Sequence, residues 1–279
     1  MGSRINIIAS TKLDQQADFS SYPAAVPQME LNTNIEEARK KKEEGMEADA
    51  VYGVSVFTCT NRPQLMDQVF NNHLQQAYTP CELVIVLNNN SMDLEEWELR
   101  AALYSNIKVF QLDEKVSLGQ CNNYAIQNCS YNYVAKFDDD DYYAPYYLKD
   151  MMAAFNYSQA DIVGKSCRFI YFKSKSILGL YSPCPEFSYV NYVVGATMVF
   201  KKEVWQKIKF PDVTEGEDTK FQQDSIDGGF KIFAADRYNY VTIREENPNK
   251  HTFQLDDDTY ISYCQRLIPI KNFLPLITR

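Results

Sequence analysis

Tyr133-Val-Ala-Lys-Phe137-Asp138-Asp139-Asp140-Asp141 is a short apolar run that ends in four successive carboxylates. Such a run, closed by a polar break, reads as a buried strand. If the extended backbone continues past Phe137, Asp138 and Asp140 point to one side and Asp139 to the other. Four like charges at a strand end are unfavourable unless something positive sits among them. A divalent cation supplies that charge. Carboxylate oxygens suit Mg2+ or Mn2+, whose sites take one or two protein carboxylates and fill the rest with water and phosphate oxygens. A solvated acidic turn is the plainer alternative. A calcium loop is disfavoured, because Tyr142-Tyr143-Ala144-Pro145 supplies neither spaced oxygens nor the loop glycine.

Outward from that run, strands and helices alternate. Val51–Phe57, Leu83–Leu87 and Ile107–Leu112 read as buried strands, and Gln64–Ala77, Glu95–Tyr104 and Gln120–Cys129 as helices. Alternation of this kind predicts an α/β fold with a mostly parallel sheet covered on both faces, which binds ligands at the carboxyl ends of its strands. Thr58-to-Pro63, Asn88-to-Ser91 and the aspartate run all lie at such ends. Residues 1–48 read as a polar extension with a charged helix over Asn34–Glu44, 49–252 as a single α/β domain, and 253–279 as a helical tail. That tail is basic and apolar, which suits packing on the core or against a second subunit in a homodimer.

The 279 residues suffice for one large α/β domain. A net charge of −9 argues against a general nucleic-acid binder, whose affinity comes from basic patches. No apolar run approaches the roughly 20 residues of a membrane span, and the amino terminus lacks a signal-peptide pattern. The seven cysteines are scattered without a C-x-x-C pair, so the expectation is reduced, buried thiols in a cytoplasmic protein, either free or peripheral to a membrane.

Several segments together resemble family-2 glycosyltransferases of the GT-A fold. They are Thr60-Asn-Arg62 after the first strand, Gln75-Gln-Ala-Tyr78, Glu82-Leu-Val-Ile-Val, Asn88-Asn-Asn-Ser-Met-Asp93, and Phe137-Asp-Asp-Asp-Asp141 with Pro145 and Leu148. Further on come Val193-Val-Gly195-Ala-Thr-Met-Val-Phe200 and Phe210-Pro-Asp-Val-Thr-Glu-Gly-Glu217-Asp218. The likeness covers about residues 50–252, and its specificity lies in the order and spacing of the pieces.

This resemblance implies a GT-A architecture, a nucleotide-diphosphate sugar donor, a carbohydrate or glycan acceptor, and Mn2+ or Mg2+ as cofactor. It implies that Asp138 lies on the ribose side, with Asp139 beside it, and that Asp140 ligates the metal. His251 is then a second metal ligand, against the plainer reading of a surface loop histidine. Thr58, Thr60, Arg62 and Asn88 fall where the family holds the nucleoside. Asn88 departs from the usual Asp, and Asn122 stands where Arg is common; UDP is the favoured donor nucleotide, with other bases less excluded than usual. Asp218 is the expected general base of an inverting single displacement, with Glu217 and Asp224 as rivals and a helix-capping role as the alternative. His73 reads as structural.

Tyr171, Tyr181, Phe187, Tyr189 and Tyr192 suggest an aromatic platform for the acceptor, or a structural cluster. A nucleotidyltransferase remains an alternative, although Thr58-Cys-Thr-Asn-Arg-Pro63 has no glycine for a triphosphate loop. A non-catalytic carbohydrate-binding relative is the other.

Overall fold

The computed structural model describes residues 52–181, 184–245 and 256–279. The helix expected over 34–44 and His251 lie outside these residues. Four parallel strands come first: β1 (Val54–Thr60), β2 (Cys81–Leu87), β3 (Ile107–Gln111) and β4 (Tyr133–Lys136). They are joined by helices α1 (Met66–Leu74), α2 (Leu94–Ala101) and α3 (Leu118–Gln127). After the acidic run come β5 (Tyr142–Tyr143), α4 (Tyr147–Ser158), β6 (Ile162–Gly164), β7 (Arg168–Phe172), β8 (Ile177–Tyr181) and β9 (Ser188–Val190). Then follow β10 (Val199–Lys201), α5 (Lys202–Lys207), α6 (Glu217–Asp227), β11 (Ile232–Ala234) and β12 (Tyr240–Arg244). The described chain closes with α7 (Asp257–Ser262), β13 (Cys264–Pro269) and α8 (Leu274–Ile277).

The larger sheet has eight strands in the order β3-β2-β1-β4-β10-β6-β11-β9. β1 to β4 pair in parallel, and β10 enters antiparallel beside β4. This sheet is mostly parallel, and helices cover it. Val69 and Phe70 of α1, Trp97 of α2 and Tyr147 and Met151 of α4 bury one face; Cys121, Ala125 and Ile126 of α3 and Phe221 of α6 bury the other. A strand buried on both faces needs an unbroken apolar sequence, which is why β2 reads as a run instead of an alternation. The second sheet has five strands, β13-β8-β7-β12-β5.

Three expectations are corrected. β1 starts later and runs on to Thr60, because Thr58 and Thr60 are β-branched and pair with Ile85 and Leu87. The helical tail instead contains β13, whose backbone pairs antiparallel with β8. Its apolar positions 260, 261, 267 and 268 mimic a helical period across the boundary between α7 and that strand. Cys167 and Cys184 are joined as a disulfide, with Cα atoms 5.3 Å apart, so the thiols are not all reduced. Cys59, Cys81, Cys121, Cys129 and Cys264 remain free.

Candidate active site

β4 stops at Lys136, and the backbone turns at Asp139 and Asp140. The four carboxylates therefore do not alternate as they would along a continuing strand. The turn is closed on itself. The Asp138 amide donates to Tyr143 Oη at 2.8 Å, that hydroxyl donates to the Ala196 carbonyl at 2.7 Å, and the Phe137 and Tyr143 rings stack at 3.7 Å.

Two carboxylates of the run, Asp139 and Asp141, are buried and held by other elements. Asp141 is buried; its carboxylate accepts from the Tyr240 hydroxyl and, at 3.1 Å, from the Ile243 amide. Its carbonyl accepts from Gln68 Nε2 at 2.9 Å and Asn72 Nδ2 at 2.8 Å. Burial pushes the Asp141 carboxyl well above the ordinary range, and Asp140 and Asp138 add to it. Asp141 is thus a structural carboxyl. Asp139, expected beside the donor, is 3% exposed. It accepts from Thr60 Oγ1 at 2.5 Å, from Arg62 Nε at 3.0 Å, and from a second guanidinium nitrogen. Burial pushes its carboxyl up while Arg62 pulls against it. The third arm of Arg62 reaches Asp140 Oδ2 at 2.8 Å.

β1 separates this group from a second one. Thr60 belongs to the α1 face, whereas Cys59 points to the α3 face, where Lys136 lies. The Lys136 ammonium pairs with Asp138 and is only 8% exposed. Burial works to discharge it, but Asp138, Glu217 and Asp218 around it hold it protonated. Glu217 and Asp218 form the first turn of α6. Glu217 is buried, and its carboxyl is pushed up to about 7 by burial, with Lys136 opposing and Asp218 and Asp138 reinforcing. Asp218 is half-buried. Its Oδ1 accepts from the Thr219 amide at 2.7 Å, and its Oδ2 rests on Gly195, where any Cβ would overlap it.

The position of α6 follows from contacts made far away in sequence. A Cβ on Gly119 would overlap the Pro211 carbonyl, so glycine lets the 210–213 segment cross the start of α3. Asn123 bonds both the amide and the carbonyl of Phe210, at 3.0 and 2.9 Å. Gln222 bonds the amide and carbonyl of Val193, at 2.8 and 3.0 Å. That clamp fixes the Gly195 segment against α6, and with it the seat of Asp218.

A model of glycosyl transferase family 2 matches residues 55–207, more than half of the chain. The chain belongs to that family. It is 25% identical over 162 residues to the O-antigen biosynthesis glycosyltransferase WbnJ of Escherichia coli, which covers 54% of this chain and 62% of that one. The chain thus spans about three fifths of the length of this curated relative. Its fold is similar to S. aureus TarS 1–349 in complex with UDP-GlcNAc, with a TM-score of 0.56 at 17% identity over 70% of this chain and 59% of the other. It is similar also to the mannosyltransferase PcManGT of Pyrobaculum calidifontis in complex with GDP-Man and Mn2+, with a TM-score of 0.52 at 14% identity over 76% and 64%. Both likenesses speak for the fold.

Of the residues expected at the nucleotide, Thr58 is buried within β1 on the same face as Thr60. The Asn88 side-chain amide donates to the Asp113 carbonyl at 2.8 Å, which orients that side chain at the end of β2. Asn122, in the usual place of arginine, is 1% exposed, and neither polar atom of its side chain has a hydrogen-bond partner among the described residues. Asp224, the rival base, pairs with Lys220 one turn earlier on α6. His73 is buried, and burial pushes it down to about 4, as befits a neutral structural histidine. Among the described residues, no three His, Cys, Asp or Glu side chains gather as a metal cluster, and no helix is long and apolar enough to cross a membrane.

The aromatic residues do not form one platform. Tyr171 packs on Phe273, Tyr181 on Tyr260, and Tyr189 on Phe233. Only Tyr192 reaches the site, beside Asp218 and Thr219, where burial pushes its phenol upward. Sequence reasoning missed Gln68, Asn72, Gln75 and Gln76, whose side chains hold the carbonyls of Asp141, Tyr143 and Ala144. A polar stripe at positions 68, 72, 75 and 76, on one helical face, was the available signal.

Proposed function

We propose that the chain is a metal-dependent glycosyltransferase that moves a sugar from a nucleoside-diphosphate donor to a carbohydrate acceptor, with inversion by a single displacement. The observation that carries this reading is the meeting of two acidic groups, Asp138 at the end of β4 and Glu217-Asp218 at the start of α6, around one buried ammonium. The first belongs to the donor side, the second to the acceptor side. Asp138 takes the ribose, Thr58 and Asn88 line the nucleoside, and the Asn88 side-chain carbonyl accepts from a uracil N–H. Asp218 takes the proton from the attacking acceptor hydroxyl. Glu217 beneath it, raised to about 7, resists ionising and so limits the negative charge packed around the base.

Asp140, with Asp138 beside it, offers hard carboxylate oxygens and no third protein ligand among the described residues. That fits an ion of the Mg2+ or Mn2+ kind, which completes its shell with water and phosphate; His251 is the further candidate ligand. Such an ion neutralises charge on the departing nucleoside diphosphate. WbnJ's part in O-antigen biosynthesis and the UDP-GlcNAc and GDP-Man complexes of the structural neighbours support a glycan acceptor and a nucleotide-sugar donor. UDP remains the favoured nucleotide and GDP the second.

Calorimetric titration of UDP with and without Mn2+ tests this. The expected result is binding at least about tenfold tighter with the ion. Equal affinity in both buffers removes metal dependence. A panel of nucleotide sugars, none of which raises the melting temperature, removes the donor reading.

A further inference from the structure

Arg62 engages two carboxylates with different parts of one guanidinium. Its Nε and one terminal nitrogen grip Asp139 side-on, and its other terminal nitrogen reaches Asp140 Oδ2 at 2.8 Å. The Asp139 half is fixed twice over, since Thr60 donates to the same carboxylate at 2.5 Å, and Asp139 is buried. The other terminal nitrogen meets Asp140, whose side chain is 16% exposed. The guanidinium is a rigid plane, so its grip on Asp139 fixes the remaining terminal nitrogen, and Asp140 is the partner that can swing away from it.

We propose that Arg62 is the resident counter-ion of Asp140 and holds that carboxylate back from a divalent cation until a donor diphosphate arrives. This rests on the reading of Asp140 as a metal ligand. An ion bound at about 2.0–2.1 Å from an Asp140 oxygen competes with the guanidinium for the charge of that carboxylate, so each weakens the hold of the other. A diphosphate relieves the conflict. Its oxygens accept from the Arg62 terminal nitrogen that Asp140 leaves, and its own negative charge offsets the added cation. Arg62 stays on Asp139 throughout. Metal and donor affinities are therefore linked, and the linkage runs through Arg62. The residue is a positioning residue, and the Thr60–Asp139 bond sets its place.

Mn2+ binding, read by electron paramagnetic resonance of the free ion, tests the proposal with no turnover involved. It is measured on the whole chain, alone and with a nucleoside diphosphate (UDP first, then GDP, CDP and dTDP). The unaltered protein is expected to bind Mn2+ weakly alone and far more tightly with the nucleotide. Arg62→Gln is expected to bind Mn2+ alone about tenfold more tightly, and the factor by which the nucleotide improves Mn2+ binding is expected to fall by a similar amount. If Arg62→Gln does not fold, Arg62→Lys carries the same test. An ammonium cannot bridge both carboxylates, so Mn2+ alone should bind about threefold more tightly. A variant that folds and binds Mn2+ alone no better than the unaltered protein overturns the proposal while leaving the metal reading intact. If the unaltered protein binds no Mn2+ with any of the four nucleotides, the metal reading fails and the proposal with it.

Discussion

The acidic run at the end of β4 and the acidic pair at the start of α6 are both clusters of carboxylates, yet the chain treats them in opposite ways. In the run, Asp139 and Asp141 are each tied down by donors from other elements, two through Arg62 and Thr60, two through Tyr240 and Ile243. In the pair, Glu217 is buried with no cation of its own; it shares Lys136 with Asp138 and Asp218, and its carboxyl is raised to about 7. The first arrangement keeps a turn rigid around Asp138 and Asp140. The second leaves a carboxyl poised to change protonation next to a half-buried carboxylate. A cluster of like charges is thus held as scaffold or left able to titrate according to how many donors face it.

The comparison breaks most readily at Lys136, whose ammonium pairs with Asp138 and feels the charge of Glu217 and Asp218. Lys136→Met leaves three carboxylates around an emptied slot and is expected to lower stability by about 3–5 kcal/mol in urea unfolding. A loss within about 1 kcal/mol contradicts the idea that this ammonium compensates them.

Glu217 sharpens the contrast through pH. Its folded carboxyl holds a proton up to about 7, against 4.5 in the unfolded chain. The folded state therefore binds this proton more tightly. Its stabilising contribution is fully present below about 4.5 and is lost as pH rises through about 7. Glu217→Gln removes that slope, an effect of about 3 kcal/mol between the two limits, read from urea midpoints over pH about 5 to about 9. An unchanged slope contradicts the assignment.

Gly195→Ala touches the pair alone. Its new methyl displaces the Asp218 carboxylate, whose far end rests on that Cα. Transfer is expected to slow by about 100-fold with a drop in melting temperature as well, because the carboxylate can swing away but Asp218 Cβ, 2.9 Å from the new methyl, must also give.

Much of this was legible in the chain. The strand–helix alternation from β1 to β4 and the placement of the aspartates at a strand end follow from local pattern, since β2 is apolar throughout and Asp138 follows Phe137 directly. The partners of the aspartates were not legible. Arg62 lies 77 residues from Asp139, and nothing local announces that pairing. Lys136 looks like a strand-edge lysine until α6 is folded over it. With two internal cations present, four adjacent carboxylates do not by themselves demand a metal ion, which weakens the electrostatic argument drawn from the run alone. The Cys167–Cys184 bond escaped because an odd, scattered set of cysteines carries no spacing signal. β13 escaped because its pairing with β8 overrides a chance helical period.

The central claim is that Asp218 takes the acceptor's proton while the β4 turn holds the donor. Its most direct test is single-turnover release of nucleotide from the donor sugar by Asp218→Asn, beside calorimetry of UDP on the same sample. The account predicts that transfer falls by at least about 1000-fold while UDP binds as before. Full transfer by Asp218→Asn contradicts it.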